Sequence, residues 1–162
     1  MPVHIDIATH TDALPEKLDI ALLAKDAVEH SLAALEMADA VGELSIVVTD
    51  DTEIQELNAQ WRNKNKATNV LSFPAAQLAV GDRPGPLLGD IVLSVETISR
   101  EAGEAGIGVD NHFIHLIVHG LLHLLGYDHE NDADADKMES LEKVILEQMG
   151  IKDPYSVQVA DS

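Results

Sequence analysis

The feature that most constrains this chain is a run of fourteen positions, His112 to Leu125, in which every residue except Gly120 is either a large aliphatic or aromatic side chain or a histidine. A helix that is apolar on all sides belongs in an interior, so this segment is expected to form the buried central helix of the domain. Four imidazoles are carried inside with it, and buried imidazoles need hydrogen bonds, a metal or a solvent-filled cleft. The run continues as HGLLHLLGYDH, His119 to His129, which spaces three histidines at i, i+4 and i+10 with Gly126 between the second and third. Residues four apart on a helix share one face about one turn apart, so His119 and His123 can grip one ion. Gly126 can take a positive φ, end the helix and let the chain double back to bring His129 to the same point. Three neutral imidazoles leave the fourth position of a tetrahedral Zn²⁺ open, which is the arrangement of a catalytic rather than a structural zinc site. A single interior histidine is most simply a packed, backbone-bonded one. Three at ligand spacing around a glycine point to a metal-dependent hydrolase. His115 also stands four residues before His119, but that pair lacks the glycine turn and a third ligand; His112 and His115 are therefore read as supporting or packing residues.

Composition narrows the setting. The 162 residues suit one domain, 1–162, with a tail from 152 to 162 that is expected to be weakly ordered. Aromatic residues make up only 3% against a hydrophobic fraction of 46%, so aliphatic side chains must fill the interior. The absence of cysteine excludes disulfides and thiolate zinc sites, and fits a reducing cytosol. Neither a secretory signal nor a run near the ~20 apolar residues of a membrane span is visible, so the expectation is a soluble cytoplasmic protein. A net charge of −19 argues against non-specific nucleic-acid binding. Yet Arg62, Lys64 and Lys66 place three of the ten basic residues within five positions. In so acidic a chain this is the natural place for an anionic substrate to touch.

Periodicity predicts an α+β domain of about four strands and five helices. Strands are expected at Val3–Ala8, Glu43–Thr49, Val70–Phe73 and Leu88–Val95. Helices are expected at Leu14–Ala38, from an Asp50 or Asp51 cap through Arg62, at Glu96–Ala105, along the histidine run, and at Asp134–Met149 with Met138, Leu141, Ile145 and Met149 inward. The stretch from Ala75 to Leu87, rich in Gly and Pro, reads as a mobile surface loop.

The spacing H-x-x-x-H-x-x-G-x-x-H is shared with metzincin-like metalloproteases, in which a glutamate follows the first histidine and acts as general base. Here that position is Gly120, so peptide hydrolysis ranks last among the candidate reactions. Taken together, HGLLHLLGYDH, LNAQWRNKNKATNVLSFP (Leu57–Pro74) and LGDIV (Leu88–Val92) closely resemble the YbeY family of bacterial endoribonucleases and ribosomal RNA maturation factors, over roughly Leu44 to Tyr155. The resemblance implies a zincin-like fold and one zinc ion held by His119, His123 and His129. It implies metal-dependent cleavage of single-stranded RNA, linked to 3′-end maturation of 16S ribosomal RNA and to ribosome quality control, with the small ribosomal subunit or its proteins as partners and no DNA or membrane. The family's functionally important arginine falls on Arg62, and its basic neighbours Lys64 and Lys66 match the family pattern. Asp128, beside a ligand, is either an ordinary turn residue or one that orients an imidazole or assists proton transfer. Water and the RNA's own 2′-hydroxyl both stay open as nucleophile. The rival from another class is a ribosome-assembly interaction factor in which zinc only holds the fold.

Overall fold

The computed structural model describes residues 3–12, 14–15, 17–128 and 131–151. Along the chain run β1 (Val3–Thr9), α1 (Ile20–Ala34), β2 (Gly42–Thr49), α2 (Asp51–Arg62), β3 (Val70–Pro74), β4 (Leu87–Ser94), α3 (Val95–Ala105), α4 (Val109–Leu124) and α5 (Asp132–Gln148). The strands form one sheet in the order β1-β2-β4-β3. β1, β2 and β4 are parallel, and β3 joins β4 antiparallel with Ser72 opposite Ile91. The four strands, five helices and α+β class all match the sequence expectation.

Strand alternation sorts side chains to two faces. Leu44, Ile46, Val48, Ile91, Leu93 and Val70 enter the main core, where Val28 and Leu32 of α1, Ile145 and Leu146 of α5 and the apolar residues of α4 meet them. On the opposite face, Leu71, Phe73, Val47 and Val92 meet Ile54 and Leu57 of α2. The histidine helix is thus the layer between sheet and outer helices. From His112 to Leu122 every residue is buried. Each fully buried Leu or Ile there contributes roughly 1.5–3 kcal/mol.

One expectation needs correction. The first helix does not run from Leu14 to Ala38. It begins after Asp19, whose carboxylate accepts from Leu22 N at 3.2 Å, and it ends at Ala34, before Glu36 turns to φ 59°. Apolar periodicity in the flanking segments reflects packing against the core rather than helix. The stretch after β3 is the irregular surface connection that its Gly and Pro residues predict, and it is tied to its surroundings at several points. Ala75 N bonds Leu88 O at 3.1 Å, Ala79 N bonds the Asp82 carboxylate at 2.9 Å, Arg83 pairs with Asp39 at 2.9 Å, and Glu43 N bonds Pro86 O at 2.9 Å. Its Leu78–Ala79 backbone lies so close to Gly126 that a Cβ there would collide with the Leu78 carbonyl. The expected tail, 152–162, lies outside the described residues.

Candidate active site

Two elements build the site: the C-terminal half of α4 with the turn that follows, and the junction between α2 and β3. On α4, His119 and His123 stack one turn apart, their rings nearly perpendicular with centroids 4.6 Å apart. His119 is buried and His123 half-buried. The helix ends because Gly126 adopts φ 101°, a conformation costly for any residue with a Cβ, as the glycine's place in the motif predicts. The same turn aims the Tyr127 carbonyl back at His123 Nδ1, 3.0 Å away. His119 Nδ1 meets the Glu142 carboxylate of α5 at 2.6 Å.

These two bonds fix the tautomers. A carbonyl and an ionised carboxylate can only accept, so each Nδ1 carries the proton and each Nε2 is left with a lone pair. The two Nε2 atoms stand 3.1 Å apart. Nitrogens this close share either a proton, as a hydrogen bond between the rings, or a metal ion. Two nitrogens bound at about 2.0–2.1 Å to one tetrahedral zinc would be separated by about 3.3 Å, so the pair fits a metal with almost no adjustment. Among the described residues no three such donors gather at one point. The third residue expected there, His129, lies outside the described residues.

Glu142 is the residue that sequence reasoning missed. It is fully buried. Burial alone would raise its carboxyl, but the imidazoles of His115 and His119 outweigh that and hold it at about 2. His115 Nε2 lies 3.9 Å from the second carboxylate oxygen. Burial pushes the His115 imidazole below the usual histidine value despite Glu142. A signal was present in the sequence: Glu142 follows Met138 by four and precedes Ile145 by three, which puts a charge on the inward face of an amphipathic helix. His112, at the other end of α4, bonds Glu101 of α3 through Nε2 at 2.9 Å. Glu101 in turn accepts from Asn69 Nδ2 at 3.0 Å. His112 and His115 are both buried, each against a glutamate of a neighbouring helix.

Arg62 is the last residue of α2. The helix stops there because Asn63 takes φ 58°, which asparagine tolerates, and its N–H caps Asn58 O. From this end the guanidinium reaches across the Phe73 ring, 5.2 Å from its centroid, and donates to the Ser72 carbonyl on the outer edge of β3. Arg62 and His123 line the same cleft of about 740 Å³, together with Ser72, Pro74, Ala76–Ala79, Gly126, Tyr127 and Asp128. The irregular connection after β3 therefore supplies one wall of the cleft. Lys64 and Lys66 are not among the lining residues. They lie in the turn after α2, where Asn58 Nδ2 bonds Lys66 O at 3.0 Å.

Gly120 is explained by packing. A Cβ there would lie 3.1 Å from Ile91 Cγ2 and 3.2 Å from Ser72 Oγ, so helix and sheet touch at this point. A glutamate side chain has no room, and with it goes the general base of a peptidase.

Converging imidazole nitrogens, an arginine in the same open cleft and no protease glutamate define a metal-dependent hydrolase for anionic substrates. The family model described as Endoribonuclease YbeY matches residues 4–150. A relative from Bartonella henselae named Endoribonuclease YbeY is 45% identical over 95% of this chain and 98% of its own length. One of the same name from Allorhizobium ampelinum is 44% identical over 96% of each chain, and one from Rhizobium johnstonii is 58% identical over 72% of this chain and 68% of its own. The solution structure of TM1509 from Thermotoga maritima superposes with a TM-score of 0.60 over 89% of this chain and 87% of that one, at 24% identity, a likeness of fold. The chain belongs to the endoribonuclease YbeY family.

Proposed function

We propose that this YbeY-family endoribonuclease uses one zinc ion, held by His119, His123 and His129, to cut single-stranded RNA in the 3′-end maturation of 16S ribosomal RNA and in ribosome quality control. The observation that carries the reading is the convergence of His119 and His123 through their Nε2 atoms, with His123 lining the cleft that also presents Arg62. A bound zinc supplies Lewis acidity toward phosphate oxygen and toward water. The protein does the rest. Glu142 and the Tyr127 carbonyl hold both imidazoles in the tautomer that ligates. Arg62, steadied by the Ser72 carbonyl and the Phe73 ring, offers its planar fork to the phosphate and stabilises charge as it builds on the non-bridging oxygens. Asp128 is the one carboxylate among the described residues that line the cleft, and it is placed to take or return a proton. Lys64 and Lys66, outside the cleft, steer neighbouring phosphates toward it.

No helix among the described residues is long and apolar enough to cross a membrane. We place the enzyme in the cytoplasm, with the small ribosomal subunit or its proteins as partner. The test is metal analysis of the purified protein paired with cleavage of matched single- and double-stranded RNA. Stoichiometric zinc and cleavage confined to the single strand are expected. A 2′,3′-cyclic phosphate product would make the RNA's 2′-hydroxyl the nucleophile. A metal-free protein that cleaves equally well would overturn the reading.

A further inference from the structure

We propose that Trp61, beside Arg62 at the end of α2, is a stacking platform for an unpaired nucleobase of the strand whose phosphate Arg62 holds; this rests on the endoribonuclease reading above. Trp61 is the chain's only tryptophan, in a protein with 3% aromatic residues. A tryptophan normally stabilises a fold by burying 150–250 Å², and in so aliphatic a core it would be the largest single contribution available. Here it is 62% exposed. Its indole is nonetheless held in place, meeting Phe73 edge-to-face at a centroid distance of 6.5 Å and an interplanar angle of 69°.

Phe73 is also the ring beneath the Arg62 guanidinium. Trp61, Phe73 and Arg62 therefore form one continuous group, and its arginine lines the cleft. Charge decides what can sit on it. With a net charge of −19, the protein repels RNA almost everywhere. Trp61 is followed at once by Arg62, Lys64 and Lys66, so the exposed indole stands where a polyanion can approach. A positive track beside an exposed aromatic face is how single strands are held without sequence readout, because every base has a π-face. Bases inside a duplex are not available to stack on a side chain, so the platform favours unpaired RNA.

Because Trp61 is the sole tryptophan, intrinsic fluorescence reads the contact directly. The probe is a 2′-O-methyl phosphorothioate hexa-adenosine, verified as uncleaved, against a fully abasic hexamer of the same backbone. The base-bearing probe should quench Trp61 emission and the abasic one should not. With a dye-labelled probe, Trp61→Ala should weaken binding about tenfold, the scale of one base–aromatic stack. Trp61→Phe should stay within about threefold of wild type. Trp61→Leu, apolar but without a π-face, should behave like Trp61→Ala. Circular dichroism should be unchanged in all three, given the exposure of the side chain. In cleavage, Trp61→Ala should raise KM and leave kcat nearly constant. Equal quenching by both probes, or wild-type affinity in Trp61→Ala, overturns the platform and makes Trp61 a cover for Phe73. If base-dependent quenching is found but the wild type cuts no RNA, the platform stands and the nuclease reading falls.

Discussion

Two histidines of α4, two turns apart, each hold a glutamate by a short bond, and only one of them turns its other nitrogen toward His123, which lines the cleft. His112 meets Glu101 through Nε2 at 2.9 Å, and His119 meets Glu142 through Nδ1 at 2.6 Å. Both rings are buried. The difference is which nitrogen the carboxylate takes. Where it takes Nε2, the outward end of the ring is used up, and His112 Nδ1 has no hydrogen-bond partner among the described residues. Where it takes Nδ1, the carboxylate acts from behind and Nε2 is delivered toward His123. The same kind of histidine–carboxylate bond thus leaves a different nitrogen to face the neighbouring groups, and on the proposed reading that nitrogen separates a structural tie from a metal ligand.

The largest expected effect separates the pairs outright. His119→Ala should lose zinc and RNA cleavage together, the latter by about a thousandfold or more, as removal of a group central to the chemistry does. His112→Ala should keep stoichiometric zinc and most cleavage while losing about 2–4 kcal/mol of stability, since it opens a cavity and strands part of a buried polar network. Zinc content by mass spectrometry and chemical denaturation of both variants decide the matter. Zinc loss in His112→Ala would erase the distinction.

The next effect concerns Arg62, which the account makes independent of both pairs. Arg62→Ala should reduce cleavage by about 10²–10³-fold with zinc content and fold unchanged, measured by steady-state kinetics on a single-stranded RNA. Arg62→Lys should recover only part of this, because a point charge cannot replace a planar fork. The carboxylates come third. Glu142→Gln should weaken zinc affinity about 10–100-fold in a competition titration with a chelator, and Glu101→Gln should leave it unchanged. Equal effects would mean that Glu142 merely packs. The smallest effect tests the floor beneath the site. Gly120→Ala should cost about 1–3 kcal/mol in urea, because its Cβ would press on Ile91 and Ser72, and zinc affinity should be nearly intact.

The contrast between the pairs also shows what the sequence could reveal. Local signals were plain: the apolar histidine run, Gly126 as the helix stop, an aspartate cap of α2 at Asp50 or Asp51, which the structure resolves as Asp50, and the basic cluster at Arg62, Lys64 and Lys66 in an acidic chain. Each depends on residues close in sequence. Glu142 joins His119 from 23 positions away, and Glu101 joins Asn69 from 32. Pairings of that kind depend on how helices are stacked, which periodicity does not specify. Even so, the inward register of Glu142 on α5 marked it as a charge needing a partner. The Ala75–Leu87 stretch was legible only in part. Its Gly and Pro residues do report the absence of regular structure, but they carry no information about a backbone packed against Gly126. Lys64 and Lys66 are legible as charge, and only the fold places them outside the cleft lining.

The central claim is that His119 and His123 present Nε2 to one metal while His112 does not. Long-range ¹H–¹⁵N spectra of the imidazoles, recorded as zinc is added to metal-stripped protein, test it most directly. The account predicts that zinc shifts Nε2 of His119 and His123 in step, up to one equivalent, with Nδ1 protonated throughout and the His112 resonances unmoved. Zinc-dependent shifts at His112, or ligation of His119 through Nδ1, would contradict it.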